Sequence, residues 1–369
     1  FYFLIMNTKL PLVSICIPAY NSEKTIGKTL DSIVNQSYKN VEIIVSDNGS
    51  TDGSQEIAKE LGAKVFDVPV KGYGAAVNNG IKNSKGKFIM IADGDDSYNF
   101  EDIPIFYNKI TEGYDLVQGC RLPSGGGKIE KGAMPISHRL IGNPIFSTLV
   151  KLFYNVNFND VYCGMKIIRN DFFKKTIFFS TGMVFCLEIL IKSKIMNAKV
   201  SEVPITLFKD GRIKSKSHLK TIKDGLKTLK FILISSPKWI FFIPSFISFF
   251  LAIIFLLFFE IENVEKIFQF LILLYLSFQL FMLGLFSKIR SVNLGLNKMN
   301  WLNEFFKFFS LRLSFIISFV LIIFGCFCTY YDISLFNNKI DFMVYYFSIF
   351  FGVSLIGNSI TISLLHLNK

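Results

Sequence analysis

Histidine is almost missing from this chain. His138, His218 and His366 are the only three in 369 residues, which excludes a metal centre built on imidazoles. Cysteine occurs six times, at Cys16, Cys120, Cys163, Cys186, Cys326 and Cys328, but never as a C-x-x-C pair. That rules out zinc-ribbon and thioredoxin-type spacings, and unpaired thiols fit a reducing cytoplasm. No Walker A lysine is present, so ATP hydrolysis on a P-loop has no support. Gly72-x-Gly74 lacks the third glycine of a dinucleotide fingerprint and does not follow the first strand. The long apolar runs of the C-terminal third carry almost no charge, with Arg312 near a span edge where it can snorkel. An ion-coupled transporter would need charges inside the membrane.

What is abundant is apolar surface. Hydrophobic residues make up 51% of the chain and the mean hydropathy is +0.43, too apolar for a purely soluble protein of this size. The excess begins near residue 235. Four stretches, at about 237–259, 265–287, 309–331 and 343–366, are each long enough to cross roughly 30 Å of hydrocarbon. Pro244 and Gly284 fall inside them and mark candidate kinks or close packing. The net charge of +12 is also localised, since Lys209 to Lys230 holds eight Lys or Arg against two Asp. A basic collar before a first span reads as a cytoplasmic membrane-surface segment. Nucleic-acid binding, the competing use of such charge, has no accompanying motif. The 260–264 connection is Glu-Ile-Glu-Asn-Val, whereas 288–308 carries Lys288, Arg290, Lys298 and Lys307. The positive-inside rule then puts the N-terminal domain and both termini in the cytoplasm. The expected division is a cytoplasmic domain at 1–235, with a basic juxtamembrane segment at 209–235, and a four-helix transmembrane domain at 236–369. Residues 1–5 are apolar but too short for a signal peptide before Asn7-Thr8-Lys9.

The first 235 residues alternate. Val13–Pro18 and Val41–Val45 read as buried strands, and a helix capped by Ser22 lies between them with Ile26, Leu30, Ile33 and Val34 facing inward. A second helix, with Ile57, Ala58 and Leu61 inward, stops at Gly62. A third strand spans 64–68. Gly72-x-Gly74 opens a helix, and an apolar strand then ends in Asp93-Gly94-Asp95-Asp96. Asp115–Cys120 is a further strand. The glycine-rich 124–131 segment reads as a mobile loop at the active edge, and a helix follows Asn143-Pro144. Short strand–helix alternation predicts a parallel α/β sheet with its ligand beyond the carboxyl ends of the strands. Three polar clusters sit at those ends: Ala19-Tyr20-Asn21, Asp47-Asn48-Gly49-Ser50 and Asp93-Gly94-Asp95. In extended backbone Asp93 and Asp95 share a face and can point at one divalent cation. An isolated acidic turn could equally close an ordinary strand. The coincidence of three polar ends favours a site. Lys166 and Arg169 are either a solvated surface pair or a grip for an anion.

Taken together these blocks resemble a known family. Ile17-Pro18-Ala19-Tyr20-Asn21 with Glu23, Asp47-Asn48-Gly49-Ser50-Thr51-Asp52 and Ala92-Asp93-Gly94-Asp95 resemble family 2 glycosyltransferases of the GT-A fold. Gly119-Cys120-Arg121, Asp160-x-x-Cys163-Gly164-x-Lys166, Thr181-Gly182-Met183 with Glu188, and Glu202-Val203-Pro204-Ile205-Thr206 resemble the polyprenyl-phosphate sugar transferases of dolichol-phosphate mannose synthase type. The resemblance covers about 12–235, and the four-span tail matches only by arrangement. It implies an α/β, Rossmann-like nucleotide-sugar domain and an inverting transfer of a hexose from a UDP- or GDP-sugar to a polyprenyl phosphate. Pro18, Tyr20, Glu23, Asp47 and Gly74 would bind the nucleotide-sugar. Asp93 and Asp95 would hold Mg²⁺ or Mn²⁺ on the diphosphate, and Arg121 would neutralise phosphate. Lys166, Arg169 and Arg212 would meet the acceptor phosphate, with Asp160 or Glu188 orienting the acceptor. A lipid phosphate is largely dianionic at pH 7 and attacks without a strong base, so no acid/base pair is required. Asp96 adds a third carboxylate, as a supporting ligand or a helix cap. The expected partners are the donor, the lipid acceptor and the membrane, with no nucleic acid; a homo-oligomer is compatible with the pattern. A glycolipid or polysaccharide acceptor is the alternative within the family, although a processive synthase would carry a Q-x-x-R-W motif and none is present. A lipid flippase with a nucleotide-binding domain is the alternative of another class.

Overall fold

The structure is a computed structural model that describes residues 10–211, 221–258, 264–299, 301–308, 310–331 and 338–367. The chain divides into two compact units, 1–229 and 230–369.

In the first unit the elements follow the predicted alternation. β1 (Val13–Ala19) leads to α1 (Glu23–Asn35), β2 (Val41–Asp47), α2 (Ser54–Glu60), β3 (Lys64–Asp67), α3 (Tyr73–Asn83) and β4 (Phe88–Ile91). α4 (Ile103–Thr111), β5 (Leu116–Cys120), β6 (Lys128–Ile129) and α5 (Asn143–Tyr154) come next. β7 (Lys166–Arg169), α6 (Asn170–Phe173), α7 (Phe185–Ile195), β8 (Val200–Pro204) and β9 (Thr206–Leu207) complete the unit, and α8 (Thr221–Ser235) runs across its end. The main sheet has seven strands in the order β3-β2-β1-β4-β7-β5-β8. β1, β2, β3 and β4 are parallel, and so are β5 and β8, as expected for strands joined by helical crossovers. β4 is buried along its whole length, which is why it reads as an unbroken apolar run. Ile26, Leu30, Ile33, Phe100, Phe106 and Ile167 pack with it in one core.

Four expectations change. The sheet is mixed, because β7 inserts antiparallel between β4 and β5. The 124–131 segment is not an irregular loop: it makes a 3-10 turn at Pro123–Gly125 and then β6, which pairs with β9 in a second small sheet. Val34 is 53% exposed rather than inward, and Ile33 alone closes that turn of α1. The α1 cap also differs. Ser22 Oγ makes no cap bond, and Asp52 Oδ2 accepts the Glu23 N–H at 3.2 Å from the next loop.

Among the described residues of the second unit, four helices are long and apolar enough to cross a membrane: Lys238–Phe258, Glu265–Asn293, Arg312–Tyr330 and Ile340–Ser363. They belong to α9 (Ile243–Phe258) with the π-helical turn before it, α10 (Val264–Asn293), α12 (Leu311–Tyr330) and α13 (Asn338–Leu367), with the short α11 (Leu302–Phe308) between the second and third. α10 outruns its expected end at 287 and takes Lys288 and Arg290 into its last turns. Ser245 and Ser277 exchange hydroxyl-to-carbonyl bonds between α9 and α10 at 2.8 and 2.9 Å. A Cβ on Gly325 would come within 2.6 Å of the Tyr345 carbonyl, and one on Gly352 within 2.8 Å of the Ser318 carbonyl. These contacts are the small-residue and hydroxyl packing used where no hydrophobic effect separates helix from lipid. Gly284 serves the same purpose against Phe242. Pro244 sits at the junction of the π-turn Lys238–Phe242 and α9, where its missing N–H costs the helix least.

Candidate active site

Ala19, Asp47, Ile91 and Cys120 end β1, β2, β4 and β5 at one edge of the sheet. Antiparallel β7 starts at that edge, since Lys166 lies opposite both Ile91 and Gln118. The acidic turn therefore faces the Cys163-Gly164 approach to β7 across the strand ends.

β4 stops at Ile91 and residues 93–95 lie beyond it, so strand alternation does not set Asp93 and Asp95. Gly94 does. A Cβ at Gly94 would stand 3.0 Å from Ile17 Cγ2, and its carbonyl accepts the Thr25 hydroxyl at 2.8 Å. The turn is thereby pinned on β1 and α1, with a carboxylate on each side. Asp95 Oδ1 accepts the Ser97 hydroxyl at 2.5 Å, and the Asp95 carbonyl accepts the Gly211 N–H at 2.9 Å. Asp93 lies against Gly164, where an added Cβ would come 2.4 Å from its Oδ2. The Gly164 N–H donates to the Tyr98 hydroxyl at 3.0 Å, which fixes that roof. Asp93 Oδ1 is buried and has no hydrogen-bond partner among the described residues. Burial, reinforced by the charge on Asp95, pushes the Asp93 carboxyl up to about 6 against the opposing pull of Lys166, Arg121 and the nearby Tyr73 hydroxyl. A buried carboxylate atom that makes no hydrogen bond, beside a second carboxylate, is the environment a divalent cation relieves.

Arg121 and Asp160 form a buried fork. Arg121 Nε lies 2.7 Å from Asp160 Oδ2, Nη2 lies 2.9 Å from Oδ1, and the Arg121 N–H adds a bond to Oδ2 at 3.0 Å. Burial alone would lower the pKa of the guanidinium, but Asp160 overrides it and holds it well above the ordinary value. Asp160 is fully buried and spends both oxygens on Arg121. The structure thus makes it the residue that positions Arg121 and not one open to an acceptor. Its own backbone is held in turn, with the Asn159 and Asp160 N–H groups donating to Glu202 at 2.9 and 3.1 Å.

The nucleoside side is built from β1 and β2. Pro18 is half-buried opposite Ser46, and Tyr20 is 41% exposed with Lys71 Nζ 5.3 Å above its ring. Glu23 is exposed in the first turn of α1. Asp47 is buried and accepts from the Gly49 and Ser50 N–H groups, the Ser50 hydroxyl and Gln55 Nε2. It shapes the loop.

Four expected site residues are placed differently. Gly74 is buried, and a Cβ there would meet the Ser180 carbonyl at 2.3 Å; the glycine admits the Ser180–Gly182 backbone, and no phosphate can occupy that space. Glu188 organises the same segment, accepting the Phe179 and Ser180 N–H groups at 3.1 and 2.8 Å and pairing with Lys192 at 2.8 Å inside the protein. Lys166 is buried and donates to the Cys163 carbonyl at 2.6 Å, so its charge acts on Asp93 from below rather than on an acceptor. Arg169 ends β7 opposite Phe88, at the far edge of the sheet, and pairs with Asp115 and Asp171 at 2.9 and 2.7 Å. Reversal of β7 puts the two cations at opposite ends of one strand. Arg212 lies outside the described residues, next in sequence to Gly211, which binds the Asp95 carbonyl. Asp96 has φ +61° and caps no helix; Asn99 caps the following turn instead.

Sequence reasoning missed Tyr98 and the roofing role of Gly164. The only local signal was glycine directly after a buried cysteine, which no periodicity marks. Among the described residues no group of three metal-ligating side chains occurs, so a cation held by Asp93 and Asp95 would draw its other ligands from substrate oxygens and water.

Residues 14–177 match the model of glycosyl transferase family 2. The low-salt glycan biosynthesis hexosyltransferase Agl6 of Haloferax volcanii is 30% identical over 241 residues, 64% of this chain and 56% of that protein. The chain thus spans little more than half the length of that relative. The dolichyl-phosphate hexose transferase of the same organism is 30% identical over 193 residues, 52% of this chain and 81% of the relative. Glucosyl-3-phosphoglycerate synthase of Mycobacterium tuberculosis, solved with Mn²⁺, UDP and glucosyl-3-phosphoglycerate, superposes with a TM-score of 0.48 at 21% identity, covering 61% of this chain and 79% of that one. With a relative matched over four-fifths of its length and the acidic turn at the strand edge where the sequence put it, the chain belongs to glycosyl transferase family 2.

Proposed function

We propose that this enzyme transfers a hexosyl group from a UDP- or GDP-sugar to a polyprenyl phosphate at the cytoplasmic face of a membrane, with inversion at the anomeric carbon. The observation that carries the reading is the presence at one sheet edge of Asp93, whose Oδ1 is buried and makes no hydrogen bond, and of the Asp160-held guanidinium of Arg121, whose charge acts on Asp93. The named activity of the dolichyl-phosphate hexose transferase and the four apolar helices support the lipid acceptor.

Asp93 and Asp95 would hold a Mg²⁺ or Mn²⁺ ion. When bound, the ion supplies Lewis-acid stabilisation of the charge left on the departing nucleotide. Tyr20 and Lys71 offer a flat, cationic shelf at the β1–β2 end for the nucleoside. Arg121 presents a preorganised positive charge that needs no rearrangement as the diphosphate leaves. Gly164 and Tyr98 fix the direction of the Asp93 carboxylate. The acceptor phosphate attacks as a dianion, so no side chain has to take a proton.

Purified protein given labelled UDP-hexoses and GDP-hexoses with undecaprenyl phosphate tests this. Label entering a detergent-extractable, acid-labile lipid is the expected result. Label found only in polymer or only as free sugar would contradict it.

A further inference from the structure

Among the described residues, two buried polar atoms near the acidic turn make no hydrogen bond: Asp93 Oδ1 and the hydroxyl oxygen of Tyr73. Tyr73 is the first residue of α3, between the glycines of Gly72-x-Gly74. Its backbone is held on both sides. The Gly72 N–H donates to Asn48 Oδ1 at 2.5 Å, and the Ala75 N–H donates to the Thr181 carbonyl at 3.1 Å. Added Cβ atoms at Gly72 and Gly74 would come 2.2 and 2.3 Å from the Thr181 and Ser180 carbonyls, so this end of α3 has no room to shift. The ionisable groups that act on the phenol are Asp93, Cys186, Tyr98 and Cys163, and its hydroxyl in turn favours the charged form of Asp93. Burying a hydroxyl without a partner is costly.

We propose that Tyr73 is a positioning residue for the metal-binding carboxylate, its hydroxyl donating to Asp93 when Asp93 binds a divalent cation. The inference rests on the reading of Asp93 and Asp95 as cation ligands and adds a residue to it. A carboxylate that gives one oxygen to a cation keeps lone pairs on the other, and a phenol can donate to them from a fixed ring. Hydrogen bonds from outside the ligand set orient metal-binding side chains in this way. The other donors around Asp93 are engaged. Lys166 is bonded to the Cys163 carbonyl, Arg121 to Asp160, and the Gly164 N–H to the Tyr98 hydroxyl. Gly164 thus limits the carboxylate from one side by contact, and Tyr73 offers it a hydrogen bond.

Tyr73→Phe removes the hydroxyl and keeps the ring. Mn²⁺ binding to the full chain is followed by water-proton relaxation enhancement in the presence of UDP and, separately, of GDP, for wild type, Tyr73→Phe and Asp95→Ala. Melting is recorded with and without Mn²⁺. Tyr73→Phe should bind Mn²⁺ about 10-fold or more weakly than wild type, the usual loss when the partner of a metal ligand is removed. Its melting temperature without Mn²⁺ should be unchanged or higher, because the lost hydroxyl has no bond to give up, and the rise on adding Mn²⁺ should shrink. Equal Mn²⁺ affinity in wild type and Tyr73→Phe overturns the proposal and leaves the cation reading standing. A Tyr73→Phe protein that melts lower without Mn²⁺, or does not fold, shows that the hydroxyl has a structural partner of its own and also overturns it. Wild type that binds Mn²⁺ no better than Asp95→Ala overturns the cation reading and the proposal with it.

Discussion

Gly164 carries the tightest contact in the site, with Asp93 Oδ2 2.4 Å from where a Cβ would stand. Gly164→Ala must therefore turn the Asp93 carboxylate, and kcat/KM should fall by about 100-fold, as misplacement of a positioned group does. The melting temperature should barely move; unchanged turnover would show that Asp93 is free to rotate. Arg169 gives the opposite expectation. Held by Asp115 and Asp171 at the far edge, Arg169→Ala should keep activity within about twofold, the range of surface changes away from a site. A large rise in KM for the lipid acceptor would restore its expected role. Arg121→Ala should lose at least about 100-fold in kcat, the size of a lost electrostatic stabiliser. The placement of Asp93, Asp95 and Arg121 at the strand edge was legible in the sequence because each follows an apolar run. The roles of Asp160, Lys166 and Glu188 were not, because burial and partner choice are set by the packed fold: Lys166 is spent on the Cys163 carbonyl, and Glu188 on Phe179, Ser180 and Lys192. Asp160, for example, is spent on Arg121, 39 residues earlier.

At the scale of elements, hydrophobic periodicity gave the strands and helices but not the direction of β7. Four residues with a cation at each end, Lys166-Ile167-Ile168-Arg169, look the same whether parallel or antiparallel. Direction is decided by the chain's return from Asp160 past Gly164, which starts β7 at the active edge. Nor does the sequence show what lies against Gly74, which the resemblance assigned to the nucleotide-sugar. The space above Gly72 and Gly74 is filled by Ser180–Gly182, which Glu188 holds from α7. Gly74→Ala should destabilise the first unit by about 1–3 kcal/mol, the range for an overpacked site, read as a lower melting temperature. A raised donor KM at unchanged stability would reinstate Gly74 in the nucleotide-sugar site.

For the whole molecule, long apolar runs told the number of membrane-length helices, since hydrocarbon thickness fixes their length. Their ends were less visible, because α10 continues helically through Lys288 and Arg290. The catalytic proposal concentrates on one small place, the acidic turn, and the decisive measurement is made there on the intact chain. Reconstituted protein is stripped with EDTA, and transfer of labelled hexose to undecaprenyl phosphate is followed before and after Mn²⁺ is returned, beside Asp95→Ala. The account predicts acid-labile lipid product from the wild type, lost with EDTA and restored by Mn²⁺, and none from the variant under either condition. Transfer that survives EDTA, or an Asp95→Ala protein within about tenfold of wild type, a loss of no more than about 1.4 kcal/mol, would contradict it.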